Sequence, residues 1–172
     1  MKKRNWLLLG LIISFLIPFS LIKAAEIKTD NFIALQKGEF INSNFYATGG
    51  EIRIDGNIAG DLFAIAEKIT INGEIGGDLI VIASKIEING VIGGNVRVIA
   101  SEVYINGEIK RNASLIAGKL NFEKSSLLNW DLLSLSEDLT LNGNINPSAK
   151  YVTITYKGEV GKSDFKVIGF KN

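Results

Sequence analysis

A chain of 172 residues with 19 basic and 18 acidic side chains has a formal charge of +1, which leaves no electrostatic footprint for nucleic acid and no acidic tail. It contains neither cysteine nor histidine, so it lacks disulfides, thiolate chemistry and the commonest neutral-pH base and metal ligand. Its two prolines, Pro18 and Pro147, stand outside the central repeats, which suits strands whose backbone N–H groups all enter a ladder.

Residues 1–25 read as a segment apart. Lys2, Lys3 and Arg4 precede an apolar run from Trp6 to Ile22, and Lys23 then leads into Ala24 and Ala25. A basic start, an apolar middle and small residues at the end describe a secretory signal peptide. The place two residues before a cut would hold Lys23 or Ile22 rather than a small side chain. The run also meets the lower limit of the ~17–25 residues that span a bilayer, so an uncleaved membrane anchor helix is the other reading. Basic residues ahead of the run favour an exported or membrane-anchored body on the extracytoplasmic side. A cytoplasmic, membrane-associated body is the alternative.

Residues 26–51 read as an N-terminal cap with one degenerate coil. Ile41, Asn44 and Phe45 match Ile75, Asp78 and Leu79 farther on, whereas the stretch from Leu35 to Glu39 has no clear counterpart. Terminal repeats are expected to be atypical because one of their faces has no neighbour.

The core, residues 52–145, opens with four 17-residue units that follow one another without a gap: IRIDGNIAGDLFAIAEK, ITINGEIGGDLIVIASK, IEINGVIGGNVRVIASE and VYINGEIKRNASLIAGK. A strict short period means units too small to bury their own apolar face, which must stack on their neighbours. Ile54, Ile71, Ile88 and Ile105 each close an apolar-variable-apolar triplet, the period-two mark of a half-buried strand. Asp-Gly or Asn-Gly follows in every copy, a pair that favours left-handed backbone angles and predicts a tight corner. An isolated inward residue comes next (Ile58, Ile75, Ile92, Ile109), then a second corner at Gly60-Asp61, Gly77-Asp78 and Gly94-Asn95. A last strand, such as residues 79–83, completes the unit. Three short strands divided by corners predict one coil of a triangular prism, with the isoleucines just named as core ladders. The row Ile65, Ile82, Ile99, Ile116 and Leu135 is expected in the core too. An exposed stripe facing a partner or a membrane is the alternative.

Beyond Lys119 the period continues with insertions. Residues 120–138 carry two extra residues near Leu127 to Asn129, residues 139–145 restart the unit, and Pro147 breaks it. Residues 146–172 are expected to form an irregular coil or cap, with Phe165 and Phe170 as a candidate assembly surface. The count comes to about six or seven coils of an all-β, single-stranded parallel β-helix.

Tandem I-x-I-x-G-x-I-x-G-D units, as in ITINGEIGGD from Ile69 to Asp78, resemble the bactofilins, the polymer-forming cytoskeletal proteins. The likeness covers roughly residues 40–142 and is one of repeat pattern. It implies a right-handed β-helix that joins end to end into filaments without polarity and without nucleotide, as a scaffold for cell shape or envelope. It implies self as partner, with a membrane or cell-wall polysaccharide as further contacts, and no cofactor, nucleotide or nucleic acid. Typical members are cytoplasmic with a short proline-containing leader, so residues 1–25 point to an exported, envelope-associated relative. The alternative to a polymer is a monomer capped at both ends.

Other function classes find less in the chain. A surface adhesin or carbohydrate-binding rod suits the shape. A polysaccharide-active enzyme would use Asp61 and Asp78, stacked about 5 Å apart and near the ~5–5.5 Å separation of retaining glycosidases. Asn95 and Asn112 fill the same place in later coils, however, where a turn-former suffices. The Gly73, Gly76, Gly77 spacing is a corner rhythm without the lysine of a phosphate loop. No catalytic, cofactor-binding or metal-ligating residue is assigned, and a non-catalytic structural role is expected.

Overall fold

The structure, a computed structural model, describes residues 25–146 and 151–160. The expected signal or anchor lies outside these residues except for Ala25, and so do Phe165 and Phe170. The chain begins with β1 (Ala25–Thr29) and β2 (Phe32–Leu35) and then alternates two-residue and long strands. The first pairs are β3 (Phe40–Ile41) and β4 (Asn44–Ile54), β5 (Asn57–Ile58) and β6 (Leu62–Ile71), β7 (Glu74–Ile75) and β8 (Leu79–Ile88). There follow β9 (Val91–Ile92) and β10 (Val96–Ile105), β11 (Glu108–Ile109) and β12 (Ala113–Phe122), β13 (Leu127–Leu128) and β14 (Leu132–Leu141), β15 (Asn144–Ile145) and β16 (Tyr151–Val160).

The long strands stack in parallel as a nine-stranded sheet, with β1 and β2 both on β4, and the short ones stack as a seven-stranded sheet. The result is a parallel β-solenoid of about seven turns with coils of about 17 residues. No helix occurs among the described residues. Each residue lies on its equivalent one period on, as in Leu62 on Leu79 on Val96. Ile58, Ile75, Ile92 and Ile109 stand in a single file between Ile41 and Leu128. Ile54, Ile71, Ile88 and Ile105 form a second file that runs from Leu35 and continues through Phe122 to Leu141. All eight isoleucines are at most 1% exposed, and each buried aliphatic side chain contributes about 1.5–3 kcal/mol. Ile41 lies on Ile58 and Phe45 on Leu62, so the first coil enters the same register.

Four details depart from the sequence reading. The last strand of one repeat and the first of the next are one ten-residue strand, as in β6. Glu67 and Lys68 both face outward, which turns the chain, while pairing lapses only at the corner residue: Ala66 lies on Ala83 and Lys68 on Lys85. A bend, not a break, divides those two faces of the prism. The two extra residues sit at Glu123 to Ser126, ahead of β13 rather than within it. They replace the Asn-Gly corner with a turn in which the Ser126 N–H and Oγ–H both donate to the Glu123 carbonyl, at 2.9 and 2.8 Å.

The corner glycines are not left-handed. Gly38 is the one described residue with positive φ, at 90°. Gly73, Gly90 and Gly107 are required for another reason: a Cβ on any of them would strike the carbonyl of the glycine one coil back. Backbone stacked on backbone leaves no room there for a side chain.

The row Ile65, Ile82, Ile99, Ile116 and Leu135 corrects the expectation of core. These side chains are 53, 51, 52, 49 and 49% exposed. In β6 Leu62 and Ala64 are buried and Ala66 packs against the core. Strict alternation along a strand then sends Phe63 and Ile65 outward.

Candidate functional site

The second corner holds the two aspartates that a glycosidase reading would need. Side-chain oxygens there accept backbone N–H groups of the next coil. Asn44 Oδ1 takes Asp61 N–H at 2.9 Å, Asp61 Oδ1 takes Asp78 N–H at 2.8 Å, and Asp78 Oδ1 takes Asn95 N–H at 2.7 Å. Asn112 Oδ1 continues to Asp131 N–H at 3.2 Å. These are register pins, and an amide serves as well as a carboxylate. Burial raises the Asp78 carboxyl, but hydrogen bonds from the Arg97 guanidinium at 2.8 Å and from the Asn95 backbone and amide outweigh it, and the net shift is downward. A general acid needs the opposite shift.

The first corner carries a second ladder. Asn72 donates to Asp55 at 2.6 Å, Asn89 to Asn72 at 2.8 Å and Asn106 to Asn89 at 2.7 Å. Asn72 and Asn89 each donate to the coil below and accept from the one above, so side-chain amides tie four successive corners together. Among the described residues no cluster of three or more acidic side chains could hold a metal ion.

What remains is a surface. The outward face of the first halves of the long strands bears two in-register rows. One is Thr48, Ile65, Ile82, Ile99, Ile116 and Leu135. The other is Tyr46, Phe63, Ile80, Arg97, Ser114 and Leu133. Arg97 is the one charged side chain in the two rows. At the N-terminal end Tyr46 and Phe63 stack with ring centroids 4.7 Å apart and planes within 3°. Toward the other end the small Ser114 leaves a groove of about 440 Å³ walled by Ile80, Ile82, Ile99, Ile116, Leu133 and Leu135. A continuous face of half-exposed aliphatic residues is what partner surfaces present.

The sequence reading named this row and misjudged its direction. A signal was present. In β14 the inward places hold Ser134 and Ser136, buried to 1 and 5%, while Leu133 and Leu135 lie outside at 55 and 49%. Apolar residues at alternate places with serines between them put the isoleucine row's equivalent, Leu135, on the outward side of the strand. The core-ladder isoleucines contribute packing alone.

No family model matches the chain, and no curated protein or solved structure is significantly similar to it.

Proposed function

We propose that this protein is a non-catalytic structural rod of the cell envelope that assembles end to end, an exported relative of the bactofilins. A right-handed coil and an N-terminal signal or anchor helix belong to this reading. One observation carries it: among the described residues the terminal strands β1, β2, β3, β15 and β16 have a partner on one side only. Unpaired parallel edges on a rod of constant cross-section template a further copy. The repeat pattern and the register pins support the same role, because they spend the chain's polar side chains on stacking.

A second reading, a capped monomeric rod, is favoured by the first coil. Its inward side chains Ile33, Leu35 and Ile41 are only 4–5% exposed, which an open end would not give. Electron microscopy and light scattering of the purified protein over a range of concentrations separate the two. Filaments that lengthen with concentration are expected. A monodisperse monomer throughout would establish the capped rod instead.

A further inference from the structure

We propose that two copies of this chain pack face to face through the apolar sheet face, running in opposite directions, to form a paired rod. This contact is lateral and does not depend on end-to-end joining.

The area suffices. Six rungs at ~4.8 Å and five residues of ~3.3 Å each give a flat footprint of roughly 450 Å² per copy. Corrugation by the outward isoleucines enlarges the buried total to about 1,000 Å², the threshold that a specific interface should clear. Two sheets packed this way interdigitate their side chains at ~10 Å, and in-register β-branched rows provide the ridges.

Direction follows from the unequal ends. The Tyr46 and Phe63 stack makes one end of the face high, and Ser114 makes the other low. Copies that run the same way would set high on high. Inverted copies set Phe63 over the partner's Ser114, Tyr46 over its Leu133 and Ile82 against its Ile99.

Charge at the rims selects a protein partner over an anionic lipid surface. The two bordering rows hold Lys68, Lys85 and Lys119 against Glu51, Asp61, Asp78, Glu102, Asp131 and Asp138, a surplus of negative charge that such a surface would repel. On the second-corner rim, inversion sets Asp61 against Asn112, Asp78 against Asn95 and Asp131 against Asn44, so no carboxylate meets a carboxylate. On the other rim Lys85 meets Glu102. The outer like-charged positions, Lys68 with Lys119 and Glu51 with Asp138, lie at the water-exposed edge, where screening weakens them. Lys68 is also held by Glu51 of its own chain at 3.5 Å.

The chain has no cysteine, which makes thiol cross-linking clean. Facing Cα atoms of sheets packed ~10 Å apart lie beyond the ~7 Å of a disulfide but within the span of a short bismaleimide. Phe63 and Ser114 of one copy, three rungs or about 14 Å apart, stay out of its reach. The full chain carrying Phe63→Cys and Ser114→Cys, treated with a short, membrane-permeant bismaleimide in intact expressing cells, is expected to run as a covalent dimer on a denaturing gel. Either single substitution is expected to stay monomeric. Ile82→Glu with Ile99→Glu, added to the double-cysteine chain, is expected to reduce the dimer band at least tenfold. Both positions face outward, so the circular dichroism spectrum should not change. If those glutamates unfold the chain, the milder Ile99→Thr serves in their place.

No dimer band from the double-cysteine chain overturns the proposal, as does a band that survives the glutamates. The lipid alternative is read with Ile99→Cys labelled by nitrobenzoxadiazole, in 3:1 phosphatidylcholine:phosphatidylglycerol vesicles bearing nitroxide lipids. Strong quenching there would assign the face to a membrane and overturn the pairing. Electron micrographs keep this result apart from the end-to-end reading: short paired rods mean only the lateral contact holds, and long single filaments mean only the axial one does.

Discussion

At the scale of single residues, the same letter does different work in different columns. Asp78 shows it best. Its carboxyl, and that of Asp55 beside Arg53 and Asn72, lie below the ordinary 3.8 in the folded chain. A carboxyl depressed on folding contributes stability in full above its unfolded value and loses it as pH falls through the folded one. Acid unfolding is therefore expected to begin below about pH 4. Asp78→Asn should still fold, because Asn44 and Asn112 pin the coil with an amide. It should lose the carboxylate's share of stability at pH 7, match wild type more closely at pH 3 and so show a shallower acid limb. Urea midpoints at pH 7 and pH 3 read both effects, and a variant with wild-type acid sensitivity would remove Asp78 from the cause. Glycine offers a second case. Gly90→Ala would drive a methyl into the Gly73 carbonyl and is expected to cost about 1–3 kcal/mol or more. At Gly38 nothing lies within 4 Å but φ is +90°, so Gly38→Ala costs about 1–2 kcal/mol through backbone strain alone. Thermal melts of the pair measure the two mechanisms, and Gly38→Asn should recover part of the second but not of the first. The sequence reading treated the repeating corner glycines as turn-formers and assigned no role to Gly38. The recurrence of glycine at 56, 73, 90 and 107 was the better clue, since a residue that stacks on itself is constrained by its copy above and below.

At the scale of strands, the period carries the fold and the alternation within it carries the faces. The coil, its file of isoleucines and the pairing of the first coil were legible because repetition reveals register without any long-range inference. Two features were not. Continuity of the long strands was hidden because a bend needs only two successive outward residues, such as Glu67 and Lys68, and glycine stands at that corner in only some coils, as Gly50 and Gly118. The direction of the Ile65 row was hidden because hydrophobicity argues for burial, whereas alternation from Leu62 and Ala64 argues against it; alternation wins because the backbone cannot turn a side chain without shifting the whole strand. That rule makes a sharp test. Deleting residues 69–85 removes one whole coil and joins Lys68 to Ile86 in register, so a folded, shorter rod is expected. Deleting residues 69–84 removes one residue fewer and leaves Lys85 where Ile86 must go, which reverses every later side chain of the joined strand. Circular dichroism and the urea m-value separate the outcomes: strand signal with an m-value reduced by about one part in seven for the first, and loss of cooperative unfolding for the second. Equal behaviour of the two deletions would mean that register does not govern the fold.

At the scale of the whole molecule, a solenoid has no single centre, and its stability is a sum of coils and the contacts between neighbours. A defect in the middle then differs from the same defect at an end. Ile92 packs between Ile75 below and Ile109 above and is fully buried. Ile92→Ala leaves a cavity against both neighbours, and no partial unfolding escapes it except by separating the rod into halves. It is expected to cost about 2–5 kcal/mol of global stability. Ile41 has Ile58 on one side only. Ile41→Ala can be escaped by releasing β1 to β3 while the remaining coils stay stacked, so the loss appears as local opening. Hydrogen exchange followed by mass spectrometry tells these apart. Protection is expected to fall across all long strands for Ile92→Ala, and only over residues 25–54 for Ile41→Ala, with a urea midpoint close to wild type. A filament or a paired rod alters that contrast in a way that tests the assembly readings together. End-to-end joining gives Ile41 a second neighbour, so its exchange should slow as concentration rises, while lateral pairing protects the outward-facing strands of every coil and leaves the two ends unequal. A midpoint for Ile41→Ala as low as that for Ile92→Ala, in dilute monomer, would show the rod unfolding as one block, and the coil-by-coil account of its stability would not stand.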